Sequence, residues 1–329
     1  MNKVLITGGA GFIGLSLAKR LEEENFEVHL LDNFSRAVMD NELSEVLTKP
    51  NIKVLEIDLT NKELFKKIDS DYDYIFHLAA IIGVSHVMKN PYSVLIDNIL
   101  MLRNMIEVAK NQIKLSRFLF SSTSEVYAGT LEKFDMPIPT PEDTPLTSGN
   151  LEEARSTYML SKIYGEAMCQ HSGLPFTIFR PHNVYGPRMG MSHVIPEQLL
   201  KAHNSIDKDE IEVFSPSHTR SFCYIDDAVE LMFNLLDSRC DGLIFNLGSD
   251  FEEISILSLV KTCHKIIGKD LNIIEREDTA GSPTRRAPDI SLAKNLLNYQ
   301  PKIDLETGVE KTYLWYKDNV FNKKEGFAI

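Results

Sequence analysis

Four cysteines are all this chain has, Cys169, Cys223, Cys240 and Cys263, separated by 54, 17 and 23 positions. No pair has the close spacing of a zinc site or a redox dithiol, so neither is expected, and no metal is assigned. A reduced, cytoplasmic compartment is the expectation. Long hydrophobic runs are missing too: the longest, from Ile75 to Val84, falls well short of the roughly 20 residues that cross a bilayer. The opening MNKVLITGG enters a strand-like segment at once, which leaves no room for the parts of an export signal. The reading is therefore of a protein neither exported nor membrane-spanning. Positive charge is in deficit, with 35 Lys and Arg against 47 Asp and Glu, a net charge of -12. No Lys/Arg cluster is dense enough to overturn that balance, and nucleic acid is excluded as a partner. Nor is there a self-similar period or a low-complexity tract to indicate a repeat protein.

What remains is ordinary globular composition, 43% hydrophobic and 25% charged over 329 residues, enough for one large domain or two smaller ones. Short apolar runs alternate with helix-period segments through the first 180 residues. Strands are expected at Lys3–Thr7, Glu27–Leu31, Ile52–Glu56, Tyr74–His77, Phe118–Ser121 and Phe176–Arg180. Their Val, Ile, Leu and Phe show little polar alternation, as in parallel strands covered on both faces. The fold class is α/β: a Rossmann-like doubly wound parallel sheet with a smaller C-terminal α/β lobe for substrate. Beyond Arg180, Pro181, Pro187 and Pro196 break the rhythm. Helices are expected at Pro196–Ala202, Ile225–Leu236, Ile256–Ile267 and Leu305–Asn319, and a strand at Leu243–Leu247 that returns to the main sheet. The division is residues 1–180 for the nucleotide domain and 181–329 for the second lobe.

Thr7-Gly-Gly-Ala-Gly-Phe-Ile-Gly14 follows the first strand and opens a helix. Glycines there permit a tight turn, a close approach to a pyrophosphate and close packing of helix on strand. Phosphates would meet the positive end of that helix. Asp32 closes the second strand 18 residues beyond Gly14, where a carboxylate accepts from a ribose diol and repels a 2′-phosphate, favouring NAD over NADP. Arg36 stands close enough to qualify that preference. Asp58 ends the third strand, placed either to reach an adenine amine or simply to make a turn.

Tyr158 and Lys162 lie four residues apart, on one face of a helix. A tyrosine is a poor base at its ordinary pKa of about 10, and a neighbouring ammonium is expected to lower it. The hydroxyls and carboxylate of Ser122-Thr-Ser-Glu125 lie about one helix upstream.

Together TGGAGFIG, Asp32, Asp58, His77-Leu-Ala-Ala80, Ser121-Ser-Thr123, Tyr158/Lys162 and Arg180-Pro-His-Asn-Val-Tyr-Gly-Pro187 resemble the extended short-chain dehydrogenase/reductases of the NAD-dependent epimerase/dehydratase type, which modify nucleotide sugars. The resemblance runs from Val4 to about Tyr316. It implies bound NAD held by Gly8, Gly11, Phe12, Ile13, Gly14, Asp32, Asn33, Asp58, Leu59, Leu78, Ala79, Ala80, Ser121 and Pro181, with Asn98 supporting the loop after His77. It further implies that Tyr158 takes a proton from a sugar hydroxyl, assisted by Lys162 and Thr123, while hydride passes to NAD. A homodimer packed through helices around Asp97–Lys110 and Tyr158–His171 belongs to the same resemblance.

Oxidising carbon 4 of a sugar acidifies its neighbour and makes a β-carboxylate labile. Epimerisation, dehydration and decarboxylation all start there; epimerisation needs only Tyr158, Thr123 and a sugar free to flip, whereas dehydration needs a further base for the carbon-5 proton and an acid at carbon 6. Thr123-Ser124-Glu125 is similar to the triplet of 4,6-dehydratases and UDP-glucuronate decarboxylases, so Ser124 and Glu125 join the expected catalytic set, with Glu125 offering the further base. Dehydration or decarboxylation is preferred over a plain 4-epimerase, and a non-catalytic NAD-sensing regulator is the rival from another class. Gly186-Pro-Arg-Met189, Thr219-Arg-Ser-Phe222 and Arg285-Arg-Ala-Pro-Asp289 resemble decarboxylase segments. In those segments arginines hold the diphosphate or the substrate carboxylate of a nucleoside-diphosphate sugar: Arg220 is accordingly expected on phosphate, Arg286 on the diphosphate or the carboxylate, and Arg188 on the substrate, with Asn183 on the sugar or its phosphate.

Overall fold

The structure is a computed structural model that describes residues 1–279 and 283–323. Its centre is a seven-stranded sheet built on β1 (Lys3–Thr7), β2 (Glu27–Asp32), β3 (Ile52–Glu56), β4 (Tyr74–His77), β5 (Arg117–Ser121) and β6 (Phe176–Pro181). The strand Ile244–Leu247 completes it beside β6. All seven run parallel, and β1 lies between β4 and β2. Direction along the sheet therefore reverses at β1, and the ends of β1 and β4 part to form the crevice in which such sheets bind ligands. Each expected strand is present to within a residue, and Leu243 alone drops from the returning one.

Continuous apolar strands explain the burial on both faces: Val4, Leu5, Ile6, Ile75, Phe76, Leu119 and Ile178 are fully enclosed. One core layer runs under the helices Phe12–Glu23 and Ile225–Asn234, and the other lies under Pro91–Lys110. Gly165 lets the helix Ser156–Gln170 settle on β5. A Cβ there would meet the Phe120 ring at 2.5 Å. That close approach carries Lys162 to the end of β5.

The second lobe is made of short pieces. Thr219–Arg220 pairs with Ile254–Ser255 on one side and Arg285–Arg286 on the other, while Glu210–Phe214 pairs with Asn272–Arg276. The last helix stops at Tyr316 and continues as a π-helical turn over Lys317–Phe321. The long segment after Tyr127 holds a helix, Ala128–Lys133, and reaches the second lobe where Thr140 bridges to Pro288. No helix among the described residues is long and apolar enough to cross a membrane.

Candidate active site

Parallel strands end together, so Thr7, Asp32, His77, Ser121 and Pro181 share one edge of the sheet. At that edge the glycine loop turns so tightly that a Cβ on Gly14 would lie 2.3 Å from the Gly8 carbonyl oxygen. The helix behind it starts at Phe12 with no side-chain cap, which leaves its first N–H groups for a ligand. Asp32 holds the loop from the side: one carboxylate oxygen accepts from Ala10 N at 3.1 Å and the other from Phe34 N at 3.0 Å. Burial raises its pKa, and backbone N–H groups and the charge of Arg188 pull it back. These features fit a dinucleotide: an open loop, a free helix end and an acid where the ribose belongs.

The other expected cofactor residues divide by role. Leu78 N donates to the Thr7 carbonyl at 3.2 Å, and Ala79 N donates to Thr7 Oγ1 at 3.2 Å. Asn98 brackets the following turn, accepting from Ile81 N at 2.7 Å and donating to the Ile81 carbonyl at 3.1 Å. Asp58 closes its own turn by accepting from Thr60 N and Thr60 Oγ1. Asn33 does the same with Ser35 N, and the Leu59 carbonyl accepts from Asn104. Phe12, Ile13 and Pro181 are half-buried beside the crevice.

Tyr158 and Lys162 share the inner face of the helix Ser156–Gln170. Lys162 Nζ donates to the Ser121 carbonyl at 2.7 Å and sits 5.9 Å from the centre of the Tyr158 ring. Burial lowers the Lys162 pKa to about 8, with Cys169 and Glu166 pulling the other way. Tyr158 is hydrogen-bonded to Thr123, yet its pKa lies above the ordinary value. Burial is the first cause and the charge of Glu125 the second; Thr123 and Arg36 oppose them. The expectation that the ammonium sets the phenol low gives way to the opposite direction, because burial of the phenol, with the charge of Glu125 behind it, favours the neutral form.

Glu125 is met by three guanidinium groups. Its Oε1 lies 2.8 Å from Arg286 Nη1 and 3.5 Å from Arg155 Nη2, and the charge of Arg220 also acts on it. Burial alone would raise its pKa, but the arginines win and hold it below the usual carboxylate range. Ser124 is buried behind this cluster, its Oγ 3.5 Å from Arg286 Nη1. Arg220 donates to the carbonyls of Thr219 and Thr284; burial and then Arg286 lower its pKa to about 10. Asn183, at a φ of 43°, donates to the Ser221 carbonyl at 2.9 Å and so holds the strand carrying Arg220. His182 is buried and kept neutral, its pKa lowered to about 3 chiefly by burial.

Arg188 departs from its expected place. Its guanidinium turns to the nucleotide domain, with Nε 2.8 Å from Asp40 Oδ2 and Nη1 3.2 Å from the Ala10 carbonyl oxygen. Sequence reading also passed over residues the site uses. Arg155 is one turn before Tyr158 on the same face, a spacing that could have marked it. Glu166 lies one turn after Lys162 and forms a buried ion pair with Arg180, at 2.8 Å to Nε and 2.7 Å to Nη2. Ser122 Oγ donates to the same carboxylate at 2.5 Å, so this pair ties the helix of Tyr158 to the loop of Thr123.

Comparison with known proteins matches residues 4–248 to the model of the NAD dependent epimerase/dehydratase family. The UDP-N-acetyl-alpha-D-glucosaminuronate decarboxylase of Bacillus cytotoxicus is 31% identical, over 96% of this chain and 98% of that protein. UDP-glucuronic acid decarboxylase 6 of Arabidopsis thaliana is 33% identical, over 93% of this chain and 86% of that protein. Among solved structures, the UDP-glucuronic acid 4-epimerase of Bacillus cereus, in complex with UDP-glucuronic acid and NAD, superimposes with a TM-score of 0.81. It is 28% identical, over 96% of this chain and 99% of that one.

Proposed function

Because this chain belongs to the NAD-dependent epimerase/dehydratase family, and is an NAD-dependent enzyme acting on nucleotide sugars, we propose that it decarboxylates a UDP-linked uronic acid. One observation carries this reading: Arg286, Arg155 and Arg220 gather around Glu125, next to the Tyr158–Thr123 pair. The diphosphate of any nucleotide sugar can engage part of such a cluster, but guanidinium groups beside the Tyr158–Thr123 pair also suit a carboxylate on carbon 6, a partner that a neutral sugar lacks. The Nε of Arg286 is buried without a partner among the described residues, and thus has an N–H to offer a substrate oxygen. Glu125 already occupies part of the same guanidinium. The substrate carboxylate is then held without the full bidentate grip that would oppose its departure.

When bound, NAD would supply a hydride acceptor that, once reduced, can serve as the hydride donor. The residues fitted to hold it are the glycine loop, Asp32, the turn after His77 and Lys162. Tyr158 removes the proton of the carbon-4 hydroxyl, and Thr123 shares that oxygen. Once carbon 4 is a ketone, the bond between carbons 5 and 6 breaks and its electrons move into an enolate on the carbon-4 oxygen. Carbon 6 leaves as carbon dioxide, carbon 5 takes up a proton from water, and Tyr158 returns its proton as the alcohol reforms. No base is needed to cleave that bond, which suits a Glu125 whose basicity the arginines suppress.

The test is incubation with UDP-glucuronate, UDP-N-acetylglucosaminuronate, UDP-glucose and dTDP-glucose, followed by mass spectrometry. Loss of carbon dioxide from a uronate is expected. Loss of water from a neutral sugar, with uronates untouched, would replace this reading by 4,6-dehydration. Inverted product of unchanged mass would support the second reading, a uronate 4-epimerase, which the likeness to the Bacillus cereus enzyme favours. We also infer a homodimer through the helices Pro91–Lys110 and Ser156–Gln170, where Tyr92 is 75%, Ile96 43% and Tyr164 57% exposed. Sedimentation should give twice the chain mass, and a monomer would reject the pairing.

A further inference from the structure

Arg188 belongs by sequence to the second lobe, but its side chain is 8% exposed and embedded in the nucleotide domain. Besides Asp40 and the Ala10 carbonyl, it approaches the Val38 carbonyl through Nη2 at 3.5 Å and Glu42 Oε2 at 4.0 Å. Its backbone stands at a φ of 66°, a left-handed conformation that is strained for a residue with a Cβ. Such an outlier persists only where its surroundings hold it in place. Those surroundings are specific. Ala10 is gripped from both sides, its N–H by Asp32 and its carbonyl by Arg188. Asp40, through its side chain, caps the helix Asn41–Val46 while pairing with Arg188. Next to Arg188, the Met189 carbonyl accepts from Tyr316 Oη, and Trp315 Nε1 donates to Glu42 at 2.9 Å.

We propose that Arg188 is a positioning residue for the cofactor: a brace reaching from the second lobe that locks the glycine loop to the segment after β2. The pyrophosphate of a dinucleotide belongs on that loop and its adenosine ribose on Asp32. Arg188 fixes both walls of that end without facing the sugar. The chemistry gives such a brace a purpose, because hydride taken from carbon 4 has to be returned to the same molecule. An enzyme that released reduced cofactor in mid-cycle would be left with an oxidised sugar and no means of finishing.

The experiment compares wild type with Arg188→Met, Arg188→Lys and Asp40→Asn, titrating each with NADH and, separately, with UDP. Hydrogen bonds to a charged group are strong enough that Arg188→Met should weaken NADH binding about tenfold or more. Arg188→Lys should recover part of that loss, and Asp40→Asn should lose affinity in the same direction but less. UDP binding should stay within about twofold, since a change that small is under half of one tenfold step. Weaker UDP binding with NADH affinity intact would overturn the proposal and return Arg188 to the diphosphate. Equal loss of both ligands, or no loss of either, would overturn it as well. Should Arg188→Met not fold, Arg188→Lys and Asp40→Asn decide the matter by the same criteria. NADH titration does not depend on which sugar is the substrate, so failure of the decarboxylase reading leaves this result interpretable.

Discussion

Replacing Glu125 by glutamine separates two roles for that side chain. Glutamine keeps the shape and can still accept from Arg286, whose Nη1 stands 2.8 Å from the present carboxylate, but it can neither take up a proton nor carry charge. As the group that passes a proton to carbon 5, Glu125 would be worth about 10²–10⁴ in rate, or about 3–5 kcal/mol. As a counter-ion that orients Arg286, the loss is the difference between a charged and a neutral hydrogen bond, about 1–1.5 kcal/mol, close to tenfold. The structure favours the second, since the surrounding guanidinium groups hold the carboxylate pKa low. Glu125→Gln should therefore lose about tenfold in kcat/KM on the uronate, mostly through KM. The charge of Glu125 also raises the pKa of Tyr158. Removing it lowers that pKa, so the acid limb of the pH–rate profile should move to lower pH. Steady-state kinetics over a pH series, with carbon dioxide release as the signal, measures both. A loss of several hundredfold in kcat with NADH accumulating would refute the counter-ion argument and make Glu125 a proton-transfer group.

Three further outcomes follow from the same geometry. Tyr158→Phe should abolish turnover while NADH titration stays normal; unaltered turnover would remove the phenol from the mechanism. Glu166→Gln leaves Arg180 buried with a neutral partner and should cost up to about 3–5 kcal/mol in urea unfolding, and a cost below 1 kcal/mol would show the pair to be dispensable at about the level of a surface ion pair. Lys162 has a folded pKa of about 8 against an ordinary 10.5. The unfolded chain thus holds the extra proton between those values, and the stability cost of burying this amine, full below pH 8, should shrink as pH rises from 8 to 10.5. Unfolding of wild type against Lys162→Met across that window reads the slope, and a flat difference would place the amine in water.

Local pattern carried much of the architecture. The apolar runs at β1 to β6 announced buried parallel strands, the glycine loop announced itself through a spacing only tight turns need, and Tyr158 and Lys162 were one helical turn apart. Residues whose partners lie far along the chain were harder to place. Arg188 meets Asp40 across 148 positions and Arg286 meets Ser124 across 162. Nothing in Gly186-Pro-Arg-Met189 shows which way the guanidinium turns. The two-residue strands Thr219–Arg220 and Arg285–Arg286 have no period to detect, and they exist because they pair with each other. The pKa of Tyr158 is hidden from the sequence for a related reason: spacing shows that an ammonium is near, but burial and the approach of Glu125 are properties of the packed molecule.

By itself, then, the order of residues determined the parallel sheet, the nucleotide loop, the acid at the end of β2 and the pairing of phenol with amine. Each of those rests on contacts within a strand, a turn or a helix, where spacing along the chain is spacing in space. Tertiary structure alone decided that three arginines would close on Glu125, that Glu166 and Arg180 would tie the reactive helix to the Thr123 loop, and that Arg188 would serve the cofactor's side. Charges attract over distances that the chain can cross in any direction, and only the packed fold selects the direction.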